Sequence, residues 1–439
     1  MNSFENDIAG RLAALREQSL FRELRRLDSP QSPRIQFGGS TLLNFSSNDY
    51  LGLANHPALK QAAIRAIETF GAGSGASRLI CGSLAPFHEL ENALANLKKT
   101  EAAIAFSSGY AAAQGTIGAL LGKDDVIILD KLVHASVLDA AKLSEAKIRV
   151  FTHNDLNDLE DKLKWAAKSR GHSQPAGPRV LIVTESIFSM DGDAAPLREI
   201  VALKENYGAW LMLDEAHATG ILGENGGGLA EELGVSSRVE IQMATLGKAL
   251  GAAGGCICGS RRLVDFLVNR ARSFIFSTAP VPAAAAAATE AIRITQSPEG
   301  KQLRQKLFAN IAAFQSATVH AAPNPGEGGP SSSTAAPNPG EGGPARHSFS
   351  DGGSSAIPQS AIRNPHSPPG AILPIILGSE QKALDAAAKL REQNIFVPAV
   401  RYPAVARGTA RLRITFTAAH SHHDIFCLVD ALKKLDIGI

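Results

Sequence analysis

The chain has 439 residues, 44% hydrophobic and 20% charged, with a formal net charge of +2. That is enough apolar material for a large core, and it leaves no charge excess that would draw the chain to nucleic acid or a membrane surface. No run is apolar enough to span a bilayer, Glu5 and Asp7 interrupt any secretory apolar core, and four cysteines are too few for a disulfide framework, so a soluble cytoplasmic protein is expected.

Residues 8–27, IAGRLAALREQSLFRELRRL, place Ile8, Leu12, Leu15, Leu20 and Leu24 near helical spacing and predict an amphipathic, arginine-bearing helix. Punctuation by Asn48, Asp49, Gly52 and Pro57 leads to a helix over about 58–69. A turn follows at Gly71, Gly73 and Gly75, read as a place where backbone approaches the site closely. In EAAIAFSSGYAAAQG an apolar strand passes through Ser107, Ser108 and Gly109 into an alanine-rich helix, whose free N–H groups and dipole favour a phosphate. Seen alone, Ser108 is equally an ordinary N-cap.

From there strands and helices alternate with short connections as far as AWLMLDE, which argues for a mostly parallel sheet covered by helices on both faces. Ligands of such sheets sit beyond the carboxyl ends of the strands. His134, Glu185, Ser186, Ser189, Asp214 and Lys248 each follow an apolar run, so they are expected along one edge. Next come the strand GGCICGS, a helix from Arg261, the tract FIFSTAPVP and helices near 283–295 and 299–317. Cys256 and Cys258 share a face of that strand as packing residues, and no second Cys or His pair at ligand spacing points to a metal.

The decapeptide AAPNPGEGGP at 321–330 recurs at 335–344, and Pro, Gly, Ser and Asn dominate until about Pro369. Such a composition buries too little apolar surface to offset its ordering entropy, so about 319–369 is read as a disordered insertion. The remainder, AILPIILG, a helix over about 381–393, strands IFVPAV and ARLRITF and a helix from near His422, reads as a smaller α/β unit. Arg411 and Arg413 point the same way from one strand, suited to clamping a carboxylate; arginines on an exposed edge strand are the alternative.

Asp214 and Lys248 carry the chemistry. An amine among Gly247, Gly251, Gly254 and Gly255, with a carboxylate at the end of a buried strand, meets the needs of pyridoxal phosphate (PLP). The amine bonds the aldehyde, and the anion keeps the pyridine nitrogen protonated so that the ring accepts carbanion electrons. His217, on the turn after Asp214, is placed for the ring's phenolic oxygen.

The motifs NFSSNDYLGL, GSGASRLICG, SSGY, HAS, FSMDGD, LDEAHATG, TLGKALGAAGG, FSTAP and GTARLRITF make the sequence resemble the α-oxoamine synthases, a family of PLP enzymes, over about residues 42–296 and 371–434. The resemblance implies an α/β PLP-dependent transferase fold of type I, aspartate aminotransferase-like. An N-terminal helix and arm (1–50) would precede a PLP-binding large domain (51–290) and a smaller C-terminal α/β domain (291–439) that carries the insertion. It implies that Lys248 is the Schiff-base lysine, that Asp214 faces the pyridine nitrogen, and that catalytic His134 stacks on the ring. His217 and Ser189 would sit near the phenolic oxygen. Ser108, Gly109, Tyr110 and Thr245 would serve the phosphate, joined by Ser277 and Thr278 from the other subunit of a homodimer. Arg413 would hold the amino-acid carboxylate, with Asn48 and His134 beside it, and Arg22 and Arg401 would lie near the acyl group. Ala404 replaces the family's pocket threonine. The reaction implied is decarboxylative condensation of L-alanine with a pimeloyl thioester of coenzyme A or acyl-carrier protein. Condensation of glycine with acetyl-CoA, transamination, and a non-catalytic binding protein on the same fold are the alternatives.

Overall fold

The computed structural model describes residues 3–168, 178–319, 370–435 and 437. From residue 320 onward, the expected insertion lies outside the described residues.

Strands β1 (Arg34–Phe37) and β2 (Ser40–Asn44) pair as an antiparallel hairpin. They precede β3 (Ala102–Phe106), β4 (Val126–Asp130), β5 (Lys147–Phe151), β6 (Val180–Glu185), β7 (Trp210–Asp214), β8 (Ile241–Thr245) and β9 (Gly255–Gly259). The last seven form one sheet in the order β3-β9-β8-β7-β6-β4-β5, parallel throughout except for β9, which is antiparallel to both neighbours. The unbroken apolar runs of β3, β4 and β6 are buried along their whole length, because one hydrophobic core packs against each face of the sheet. The reversal at β9 follows from chain length. Residues 246–254 are fewer than the dozen or so that a parallel crossover needs, so the chain turns back at the carboxyl edge and leaves Lys248 there.

The C-terminal part contains β10 (Ile372–Gly378), β11 (Ile395–Phe396), β12 (Ala399–Val400) and β13 (Ala410–Thr415). β13 is the central strand of the antiparallel sheet β10-β13-β12, whereas β11 joins β2 in parallel. IFVPAV is therefore two strands in two sheets. The break falls at Pro398, which has no N–H for a ladder and whose carbonyl accepts from the Arg413 amide at 3.2 Å. Among the described residues no helix is long and apolar enough to cross a membrane.

One further expectation is corrected. The N-terminal helix spans Ser3–Glu17, not 8–27, and buries none of its residues. Ser19 takes a φ of 55°, and the amides of Leu20 and Phe21 both return to the Leu15 carbonyl. The carbonyls of Ser19 and Phe21 then accept from the Arg401 guanidinium instead of from helical amides. At the turn of Gly71, Gly73 and Gly75 a Cβ would meet nothing within 4 Å among the described residues, and Gly71 and Gly75 serve positive φ values of 83° and 68°.

Candidate active site

The turn after β8 presents Lys248, and the turn after β7 presents Asp214 and His217. Lys248 Nζ lies 2.8 Å from His217 Nε2, and His217 Nδ1 lies 2.5 Å from the Tyr50 hydroxyl. Burial holds the His217 pKa well below its ordinary value, reinforced by the charges of Lys248 and Arg413. Burial likewise lowers the Lys248 pKa, against the opposing charges of Asp214 and Glu185. A lysine amine whose neutral form is accessible is a nucleophile and a base.

Asp214 is buried, and its Oδ1 accepts the Ala216 amide at 2.9 Å. Beside it Glu185 is pushed well above the carboxylate range by burial and by the charge of Asp214. Its Oε2 accepts the Ser189 amide at 3.0 Å.

Arg413 is buried on the central strand of its sheet, which excludes the exposed-edge alternative. Its Nε donates to the Ser189 carbonyl at 2.7 Å, and its Nη1 to Asn48 Oδ1 and Thr415 Oγ1, each at 3.1 Å. Asn48 Oδ1 also accepts from Tyr50 at 3.3 Å. A continuous chain thus runs from Ser189 through Arg413, Asn48, Tyr50 and His217 to Lys248. Arg411, on the same strand, instead bonds Asp191 Oδ1 at 2.6 Å and the Met190 carbonyl.

At the end of β3, Ser108 caps the helix Gly109–Leu120, its Oγ accepting the Ala111 amide at 3.1 Å. A Cβ on Gly109 would come within 2.6 Å of Thr245 Cγ2, and one on Gly255 within 2.5 Å of the Gly109 nitrogen, so these backbones lie flush against each other. The Thr245 hydroxyl is buried there with no partner among the described residues. A helix N-terminus, a floor without side chains and an orphaned hydroxyl fit a phosphate group. Tyr110, partly exposed, donates to Asp139 Oδ2 at 2.8 Å. His134 caps the helix Ala135–Leu143, its Nδ1 2.8 Å from Ser136 Oγ, and desolvation lowers its pKa against the charge of Asp214.

The remaining expected residues stand apart from this chain. Arg22 donates to the Tyr402 carbonyl at 2.7 Å, while Arg401 reaches back to Ser19 and Phe21 and keeps a buried Nε without a partner among the described residues. Ala404 lies on an exposed turn, its amide on the Arg401 carbonyl. The Ser277 hydroxyl donates to the Thr278 carbonyl, and Thr278 bridges Ser77. Sequence reasoning missed Tyr50, whose partner His217 is 167 residues away. The only signal was its place beside Asn48 in one motif. Burial pushes its hydroxyl pKa up to about 12, so it remains a phenol.

The sequence pattern of the class I and II aminotransferases matches residues 40–322 and 361–432. The chain is 43% identical to the 8-amino-7-oxononanoate synthase of Geobacter sulfurreducens, over 98% of this chain and 99% of that one. It is 44% identical to the enzyme of the same name from Anaeromyxobacter dehalogenans, over 98% and 95%. Among solved structures, Sphingomonas wittichii serine palmitoyltransferase superposes with a TM-score of 0.80 at 28% identity, covering 99% of this chain and 97% of that one. The 8-amino-7-oxononanoate synthase of Francisella tularensis superposes with a TM-score of 0.66 at 25% identity, covering 90% and 97%.

Proposed function

This chain belongs to the class I and II aminotransferase family and, within it, to the 8-amino-7-oxononanoate synthases, and from that membership we propose that it condenses L-alanine with a pimeloyl thioester. The products are 8-amino-7-oxononanoate, carbon dioxide and the free thiol carrier, a step of biotin synthesis. The observation that carries the reading is the hydrogen-bonded chain from Arg413 to Lys248, which puts a carboxylate-binding cation and a depressed-pKa amine at opposite ends of one network.

PLP fits the residues present. Lys248 would bond its aldehyde and Asp214 its pyridine nitrogen, His134 would cover the ring, and His217 and Ser189 would meet the phenolic oxygen. Ser108, Gly109, Tyr110 and the orphaned Thr245 hydroxyl would take the phosphate. Bound there, PLP supplies an electron sink that acidifies the α-carbon of the amino acid.

The chain's own groups do the rest. Arg413 holds the alanine carboxylate, and its bond to Ser189 fixes that grip relative to the ring site. Lys248 takes the α-proton, because burial keeps its neutral amine accessible. His217, held by Tyr50, keeps that amine oriented. The α-carbon then attacks the thioester carbonyl and the thiol leaves. The resulting β-keto acid loses carbon dioxide, and Lys248 returns the proton.

A homodimer is supported by the exposed apolar side chains Leu79, Ile80, Phe276 and Val281, which flank the Ser77–Thr278 bridge. Pairing of two copies there would cover them and deliver Ser277 and Thr278 to the neighbouring phosphate site. The test of function is to supply purified protein with L-alanine and pimeloyl thioesters of coenzyme A and acyl-carrier protein, and with glycine and acetyl-CoA. Stoichiometric carbon dioxide and free thiol from a pimeloyl pair are expected. Higher efficiency with glycine and acetyl-CoA would refute the substrate assignment.

A further inference from the structure

The His153 imidazole lies between carboxylates of two different loops, Nδ1 2.9 Å from Asp130 Oδ1 and Nε2 2.8 Å from Asp193 Oδ2. Its ring packs edge-on to Phe188, with centroids 4.3 Å apart. A neutral imidazole has one N–H, so only the imidazolium donates to both acceptors. Burial alone would lower its pKa, but the bonds to Asp130 and Asp193 carry it up to about 10.

Both aspartates are built into the loops they belong to, Asp130 by its carboxylate and Asp193 by its backbone. Asp130 ends β4. Its Oδ1 also accepts the Leu132 amide at 2.8 Å and its Oδ2 the Asn154 amide at 3.0 Å, which fixes the start of the segment 131–134 that delivers His134. Asp193 closes the turn after β6. Its carbonyl accepts the Phe188 amide at 2.9 Å, and Ile187 bridges Ala194 across the turn. That turn carries Ser189, bonded to Arg413, and Asp191, bonded to Arg411. The loops bearing His134 and Ser189 are therefore joined through a segment that belongs to neither, by the His153 cation and, beside it, by Asn154, whose amide bonds Asp130 and whose side-chain Nδ2 donates to Asp193 Oδ2 at 3.1 Å.

We propose that His153 is a positioning residue: bridging Asp130 and Asp193, it sets the spacing between His134 and Ser189 on the two sides of the cofactor slot. The inference rests on the reading of His134 and Ser189 as cofactor contacts. A plain structural ion pair would contribute stability without affecting how the cofactor sits. The two roles separate by measurement.

In His153→Gly the ring's space is open to added imidazole. This variant is expected to lose kcat roughly ten- to a hundredfold with the KM for L-alanine nearly unchanged, the scale of a small misplacement of reacting groups. The circular-dichroism band of bound PLP should weaken, and imidazole should restore both. Hydrogen exchange of the apoprotein should accelerate together at 131–134 and 187–194. Asp193→Asn, which preserves volume, should move the PLP band in the same direction and covers the case that the glycine variant does not fold. A lowered Tm with an unchanged PLP band, unchanged kcat and unchanged exchange in both loops would overturn the proposal. Exchange and PLP binding need no thioester. A wild type that binds PLP but ignores pimeloyl thioesters would refute the proposed function and leave this test standing, whereas His134→Ala and Ser189→Ala variants with unaltered PLP bands would remove its premise.

Discussion

At Lys248 burial works for reactivity and against charge at once, because a desolvated amine gives up its proton more readily than one in water, even against the opposing charges of Asp214 and Glu185. Lys248→Ala should abolish turnover and the borohydride-reducible bond to PLP, checked by mass analysis of the reduced, digested protein. A reducible bond surviving at another lysine would contradict the assignment. His420 uses burial differently. It stacks on Phe45 at 4.2 Å, Nε2 donates to the Asn44 carbonyl, and Nδ1 accepts the Thr417 amide, an arrangement that requires the neutral ring. Burial accordingly lowers its pKa from 6.5 to about 4. The unfolded chain takes up the proton first, so this contribution is complete above pH 6.5 and is lost as pH falls toward 4. The loss approaches about 3 kcal/mol. Urea unfolding from pH 7 to 4 should show that slope, and His420→Phe, less stable at pH 7, should show a flatter one.

Between the helix Ala85–Lys98 and the turn after β7, one buried lysine replaces a patch of core. Lys98 Nζ lies 2.6 Å from each of Glu215 Oε2, Thr219 Oγ1 and the Gly227 carbonyl, and neither side chain of the ion pair has any exposure. Glu215 follows Asp214 and also accepts the Ala230 amide, so the pair braces the turn that presents Asp214 and His217. Lys98→Met strands a carboxylate without water and should cost about 3–5 kcal/mol. Lys98→Met with Glu215→Gln should cost less than the sum of the two, a comparison made by denaturant titration. None of this was legible in the sequence, where nothing sets Lys98 apart from its neighbour Lys99. What was legible had a local cause: apolar runs marked β3, β4, β6, β7 and β8, and the polar residues just beyond them fell on one edge. What was not legible depended on partners far along the chain. His217 sits on Lys248 because Tyr50 fixes its other nitrogen, IFVPAV divides because two sheets compete for it, and the N-terminal helix does not run on past Glu17 because Ser19 turns left-handed and Arg401 takes the carbonyls of Ser19 and Phe21.

On the scale of the whole molecule, residues 18–22 are sewn to the last sixty. Ser19 Oγ donates to Gln381 Oε1 at 2.8 Å, and Arg407 lies over the Tyr402 ring and reaches Gln18. Arg22 and Arg401 each bond a carbonyl of the other's segment. The family pattern leaves 323–360 unmatched, so this seam joins regions that the pattern does cover from residue 361 on to an arm that precedes its start at residue 40. Burial and then the charge of Arg22 lower the Arg401 pKa, and its Nε lacks an acceptor among the described residues. A seam with surplus positive charge and an unused donor suits the distal carboxylate of a dicarboxylic acyl chain. A charge-assisted bond of about 1.5–3 kcal/mol corresponds to roughly ten- to a hundredfold in KM, so Arg401→Ala and Arg22→Ala should each raise the KM for a pimeloyl thioester by that order. A heptanoyl thioester has the same chain length without the carboxylate, and its KM should stay nearly constant. Equal losses on both thioesters would mean that the two arginines only hold the arm in place and that another group reads the acyl terminus.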